Sequence, residues 1–127
     1  MAMLPMSDGD WAAARELTRQ GIAGWYEVGN PPGVADGLEN LLSIALKEAS
    51  EQPETTLDRV YTVALYAAAA SAIRERSKCP IPANERPSFE RNYAAIKEML
   101  APDKFEEATQ RGRTMSYDDV VALALSE

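Results

Sequence analysis

The sequence contains no histidine and a single cysteine, Cys79. Histidine is the commonest general base and the commonest metal ligand, so both of its usual roles are missing. One cysteine can form neither an internal disulfide nor a structural zinc site. The chain also lacks a glycine-rich phosphate loop, a dinucleotide fingerprint and a nucleophile elbow. These absences predict a protein that is not an enzyme and that needs no metal or cofactor.

Acidic residues outnumber basic ones, with 20 Asp and Glu against 13 Lys and Arg, and the net charge is −7. Affinity for nucleic acid comes largely from cationic side chains, so this charge argues against DNA or RNA as a direct partner. Adjacent carboxylates such as Asp118 and Asp119 point about 100° apart on a helix. We therefore interpret them as solvated surface rather than as an acid–base pair.

Long apolar runs are also missing. The longest apolar segment, residues 60–72, is rich in alanine and shorter than the stretch of about 20 residues that spans a membrane. Residues 1–6 lack the basic and apolar regions of a secretory signal. Together with the single cysteine, this predicts a cytoplasmic protein without membrane contact.

Apolar residues instead recur at helical spacing, and no segment shows a convincing strand alternation. Helices are predicted to begin near residues 11, 33, 54–57, 84, 102 and 116. The first helix is expected to bury one stripe, formed by Trp11, Ala14, Leu17, Ile22, Trp25 and Val28. The second is expected to bury Val34, Leu38, Leu41, Leu42, Ala45 and Leu46. In the third, the small side chains of residues 68–72 predict a close helix crossing.

Four segments carry a resemblance to a known family. They are the small-residue stretch 67–76, the proline turn Cys79-Pro80-Ile81-Pro82, the segment Glu90-Arg91-Asn92-Tyr93 with residues 94–96, and the closing segment 112–125, which begins Gly112-Arg113. Together they resemble the C-terminal end of the tetratricopeptide-like sensor region of bacterial signal-transducing ATPases and LuxR-type transcription regulators.

The resemblance implies an all-α fold of tetratricopeptide-like stacked helix hairpins, with five to six helices in a short right-handed solenoid. One domain is expected over residues 1–127, with residues 1–8 as a disordered tail. The resemblance also implies a role in signal transduction and transcription regulation.

Three functions remain open at the level of sequence. The leading one is a non-catalytic protein–protein interaction module that binds a protein or peptide. The second is a sensor that binds a small metabolite in the concave groove of the helical stack. The third is homodimerisation through the first helix, where Trp11, Leu17 and Ile22 would be exposed without a preceding repeat.

Candidate partner-binding residues lie on the polar side of the second helix. Asp36, Asn40, Ser43 and Lys47 are spaced by four, three and four residues, which places them on one line opposite the apolar stripe. Tetratricopeptide geometry would turn this line toward the concave surface. Tyr26, which points away from the stripe of the first helix, is a further candidate contact.

Overall fold

The computed structural model of the chain describes residues 11–51 and 57–126, which form six helices and no strand. In chain order the helices are α1 (Trp11–Glu27), α2 (Pro31–Glu51), α3 (Leu57–Ser77), α4 (Arg86–Met99), α5 (Pro102–Thr114) and α6 (Tyr117–Ser126). The prediction of an all-α helical-hairpin fold is confirmed. The right-handed solenoid and the single-domain boundary stay predictions, and the expected tail, residues 1–8, lies outside the described residues.

The turn between α1 and α2 contains one residue that ends the first helix and another that caps the start of the second. Gly29 has a φ of +72°, the left-handed conformation that commonly ends a helix. The side-chain oxygen of Asn30 then accepts a hydrogen bond from the N–H of Gly33 at 3.1 Å and caps α2. Pro31 and Pro32 fit the first helical turn, where their missing N–H groups are not needed. The helix therefore begins two residues earlier than the predicted start at Gly33.

Helix α3 lies at the centre of the fold. It packs mainly against α2 and α5 and also contacts α4 and α6, while α1 packs on α2 and touches α6. Its alanines 67–70 are all buried. The main core includes residues from all six helices, among them Ile22, Leu38, Leu65, Ile96, Ala108 and Val120.

The predicted close crossing at residues 68–72 is confirmed at Ala68 and Ala69. Helix α5 crosses α3 at Gly112, which is buried. A Cβ placed on Gly112 would lie 2.9 Å from the Cβ of Ala68 and 3.0 Å from the backbone nitrogen of Ala69, and closer still to the carbonyl oxygen of Leu65. The two backbones therefore meet with almost no side chain between them.

The predicted stripe of α1 is partly wrong. Trp11, Ala14 and Ile22 are buried, but Leu17 is 57% exposed, Trp25 is 45% exposed and Val28 is 71% exposed. The buried side of α1 faces α2, and Leu17 and Val28 lie about 100° around the helix from its centre. The predicted apolar stripe is wider than the part of the α1 surface that α2 covers. The side chains of Leu17 and Val28 therefore remain exposed to solvent. The predicted stripe of α2 is buried except for Leu46, which is half-buried.

The C-terminal helices begin where their capping residues indicate. The backbone N–H of Asp119 donates to the hydroxyl of Ser116 at 3.1 Å, as the capping-box pattern predicts. Pro102 opens α5, which continues to Thr114. Among the described residues, no helix combines the length and the apolar character that crossing a bilayer requires.

Candidate interaction groove

A groove of about 430 Å³ lies between α1, α2 and the first half of α4, with the turn before α4 forming part of its rim. We call it the α2–α4 groove. Its polar side chains come from three helices and the turn: Thr18, Asp36, Glu39, Asn40, Ser43, Asn84, Glu85, Ser88 and Asn92. Its apolar walls are Ile22, Trp25, Ile81 and Phe89.

Three of the four residues predicted on α2 line this groove. They are Asp36, Asn40 and Ser43. The amide of Asn40 also donates a hydrogen bond to the hydroxyl of Thr18 on α1 at 3.0 Å. Lys47, one turn further along α2, is exposed and is not part of the lining. Of the predicted line of polar residues on α2, only the first two helical turns, from Asp36 to Ser43, therefore line the groove.

Tyr26 makes its contacts on another side of α1. Its hydroxyl donates to the carboxylate of Asp118 on α6 at 2.5 Å, and its ring centre lies 5.5 Å from that of Tyr117. The hydrogen bond to Asp118 raises the pKa of Tyr26. Tyr26 therefore connects the first helix to the last and is not part of the α2–α4 groove.

Trp25 forms an apolar wall of the groove rather than part of the core. Its ring lies over Gly33 of α2, where an added Cβ would come within 2.5 Å of the indole. The absence of a side chain at Gly33 lets the indole lie close to the backbone of α2, and nearly half of the surface of Trp25 stays exposed. Phe89 forms the opposite wall and stacks on Tyr93, with ring centres 5.8 Å apart. Two aromatic side chains thus border one groove.

Arg74 of α3 connects Glu39 in the lining of the groove to the proline turn that leads to α4. Its guanidinium donates two hydrogen bonds to the carboxylate of Glu39, at 2.7 and 2.9 Å. A third bond, at 3.2 Å, goes to the carbonyl of Cys79 in the proline turn. Arg74 is only 7% exposed, and its three hydrogen bonds connect α3 to α2 and to the proline turn. The hydrogen bond to Glu39 raises the pKa of Arg74.

The lining is electronegative. Its ionisable side chains are Asp36, Glu39 and Glu85, and no lysine or arginine of the described chain lines it. Burial raises the pKa of Glu39, and the negative charges of Asp36 and Glu85 act in the same direction, while the hydrogen bond from Arg74 opposes them. The carboxylates are therefore close enough to influence one another electrostatically.

Sequence reasoning missed the contribution of α4 and the turn before it. Asn84 in the turn and Ser88 and Asn92 on α4 line the groove. Ser88 and Asn92 are spaced four residues apart, which places them on one face of the helix. That polar spacing matches the spacing found on α2 and could have been noticed. Their position opposite α2 could not, because it depends on how the proline turn redirects the chain.

A second cavity, of about 440 Å³, lies between α1, α2 and α3. Beside it, one carboxylate oxygen of Glu48 accepts hydrogen bonds from Arg15 and Arg59, each at 2.6 Å. The Glu48 side chain is 8% exposed. Two guanidinium groups, on α1 and α3, thus compensate the charge of one buried carboxylate on α2. These ion pairs connect the three helices.

The groove can offer hydrogen bonds, negative charge and aromatic surface to a ligand. Within the described residues, no three histidine, cysteine, aspartate or glutamate side chains are grouped so that they could hold a metal ion. The absence of an enzymatic activity stays a prediction from the sequence.

Comparisons with protein-family models, curated proteins and solved structures gave no match to this chain. The resemblance to the tetratricopeptide-like sensor region therefore stays a prediction.

Proposed function

We propose that the protein is a non-catalytic interaction module that binds a segment of a partner protein in the α2–α4 groove. The observation that carries the proposal is the position of Asp36 and Asn40 in one groove with Ser88 and Asn92 of α4, beside the exposed indole of Trp25. Convergent polar groups fix the orientation of a bound chain. Exposed tryptophans are frequent anchors of protein interfaces.

The family resemblance places this module in a signalling context. As the end of a sensor arm, the domain would connect recognition of a partner to the output of a bacterial transcription regulator in the cytoplasm. This context rests on the sequence motifs alone, whereas the groove rests on the geometry of the helices.

Gly21 offers a direct test of the groove. It lines the groove, and a Cβ placed on it meets nothing within 4 Å. Gly21→Gln should therefore raise the free energy of unfolding by about 0.5 to 1 kcal/mol, because glycine is a poor helix former. The same side chain fills the groove, so peptides selected from a displayed random library on the wild-type protein should bind about tenfold more weakly.

Gly24→Gln is the matched control. Gly24 lies on the same helix, a Cβ placed on it also meets nothing within 4 Å, and it is not part of the groove lining. The stability of this variant should rise by a similar amount while peptide binding stays unchanged. Selected peptides that bind wild type and both variants equally, or a library that yields no binder, would contradict the proposed function.

A metabolite sensor is the second candidate, because the groove volume of about 430 Å³ falls in the range of small-molecule sites. A ligand that binds only the folded state raises the melting temperature by mass action. A thermal-shift screen with sugars, nucleotides and amino acids should then give a hit that Gly21→Gln abolishes. The absence of such a hit would remove this candidate.

Homodimerisation is the third candidate, but its contact residues differ from the predicted ones. Trp11 and Ile22 are buried inside the chain, whereas Leu17 on α1 and Val28, directly after the end of α1, are exposed. Gly24→Gln projects a side chain beside them and should dissociate such a dimer. Sedimentation velocity that shows only monomer in the wild type would contradict it.

A further inference from the structure

The α2–α4 groove carries charge of one sign. Of its three carboxylates, Glu39 is compensated by the two hydrogen bonds from Arg74. Asp36 is 64% exposed and lies 3.9 Å from the same guanidinium, at the outer limit of an ion pair. Glu85 is exposed at the start of α4. The groove therefore presents at least two carboxylates, Asp36 and Glu85, that can attract a cationic group.

The walls of the groove suit the rest of such a ligand. Trp25 is 45% exposed, and Phe89 faces the groove from α4. Aromatic faces attract cations and also pack against the aliphatic stems of lysine and arginine. Asn84, Ser88 and Asn92 add hydrogen-bonding groups that can bind a peptide backbone. Carboxylates, aromatic walls and amides together match a peptide better than a free small cation.

We propose that the groove binds a lysine- or arginine-rich segment of a partner protein, with its cations near Asp36 and Glu85 and its aliphatic stems against Trp25 and Phe89. This inference rests on the proposed function and adds the chemistry of the partner. A second copy of this chain is a poor occupant, because two molecules of net charge −7 repel each other.

The test uses two synthetic peptides of equal length and equal apolar content, one carrying lysines and the other glutamates at the same positions. Calorimetry should show micromolar, salt-sensitive binding of the lysine peptide and binding at least about tenfold weaker for the glutamate peptide. Trp25 reports the position of the bound peptide. The fluorescence of the wild type should shift to shorter wavelength on binding, and the shift should disappear in Trp25→Phe, which retains Trp11.

The charge contribution is measured with two double variants of equal charge change. Asp36→Asn/Glu85→Gln removes the two uncompensated negative charges of the groove. It should weaken binding of the lysine peptide about tenfold and reduce the salt dependence of that binding. Glu98→Gln/Glu106→Gln neutralises two exposed carboxylates outside the lining and should change affinity less than about twofold. Circular dichroism of each variant verifies the helical fold.

Three results would overturn the inference: equal affinity for the two peptides, equal weakening by the two double variants, or a Trp25 shift with spermidine and none with the lysine peptide. The last result would assign the groove to a small polycation.

Peptides selected from the library whose binding is weakened by Gly21→Gln but which carry no excess of cations would overturn this inference and leave the proposed function intact. Lysine-peptide binding that Gly21→Gln leaves unchanged would instead contradict the proposed function itself.

Discussion

Gly112→Ala should lower the free energy of unfolding by about 3 kcal/mol, at the upper end of the usual cost of overpacking. The added methyl group would meet the carbonyl oxygen of Leu65, the backbone nitrogen of Ala69 and the Cβ of Ala68. Two of these atoms belong to the backbone of α3, so no side-chain rotation can relieve the clash. Either α5 moves away from α3 or the central helix bends, and both movements disturb the core.

Chemical denaturation measures this effect, and Gly24→Ala provides the matched control. Gly24 lies in a helix with nothing within 4 Å of an added Cβ. The same substitution there should raise the free energy of unfolding by about 0.5 to 1 kcal/mol, because only helix propensity changes. Gly112→Ala with stability equal to or above that of the wild type would show that the α3–α5 crossing is wider than the structure gives.

Arg74→Met should also cost about 3 kcal/mol, because it leaves the Glu39 carboxylate buried without its partner. The two side chains are only 8% and 12% exposed, and they share a two-pronged hydrogen bond. The substitution also removes the bond to the carbonyl of Cys79 that holds the proline turn. Glu39→Leu should be destabilising for the converse reason, since it leaves a buried guanidinium.

The double variant Glu39→Leu/Arg74→Met distinguishes an ion pair from packing. With both charges replaced by apolar side chains, most of the loss should be recovered, because the desolvation cost disappears along with the attraction. The exposed pair Arg113–Glu75, with an N···O distance of 2.7 Å and side chains 43% and 63% exposed, is the comparison. Its double-mutant cycle should give a coupling of less than about 1 kcal/mol. Additive losses at Glu39 and Arg74 would contradict the interpretation.

Local sequence determined where the helices begin and end. Ser116 caps α6, Pro102 opens α5, and Gly29 with Asn30 separates α1 from α2, because each of these residues acts on its immediate backbone neighbours. The apolar stripe of α2 was also readable, since both its apolar and its polar sides follow the 3.6-residue period.

The sequence also indicated part of the groove. Asp36, Asn40 and Ser43 follow from the polar side of one helix, and the structure places all three in the lining. Lys47 shares their spacing but lies beyond the end of the groove, because the turn before α4 and its first half cover only part of α2. Periodicity defines a face of a helix, and the neighbouring helices decide how much of that face is a site.

Only the tertiary structure decided the exposure of Trp25, the burial of Arg74 and the contact of Tyr26 with Asp118. Each depends on contacts between different helices: Gly33 of α2 beneath the indole, Glu39 of α2 beside the guanidinium, and the return of α6 to α1. A tryptophan in an apolar stripe and an arginine at a helix end look the same in sequence whether buried or exposed. The sequence by itself thus determined the helices, their caps and their polar faces, while the packing of α4 and the turn before it against α1 and α2 determined which of those faces became a groove.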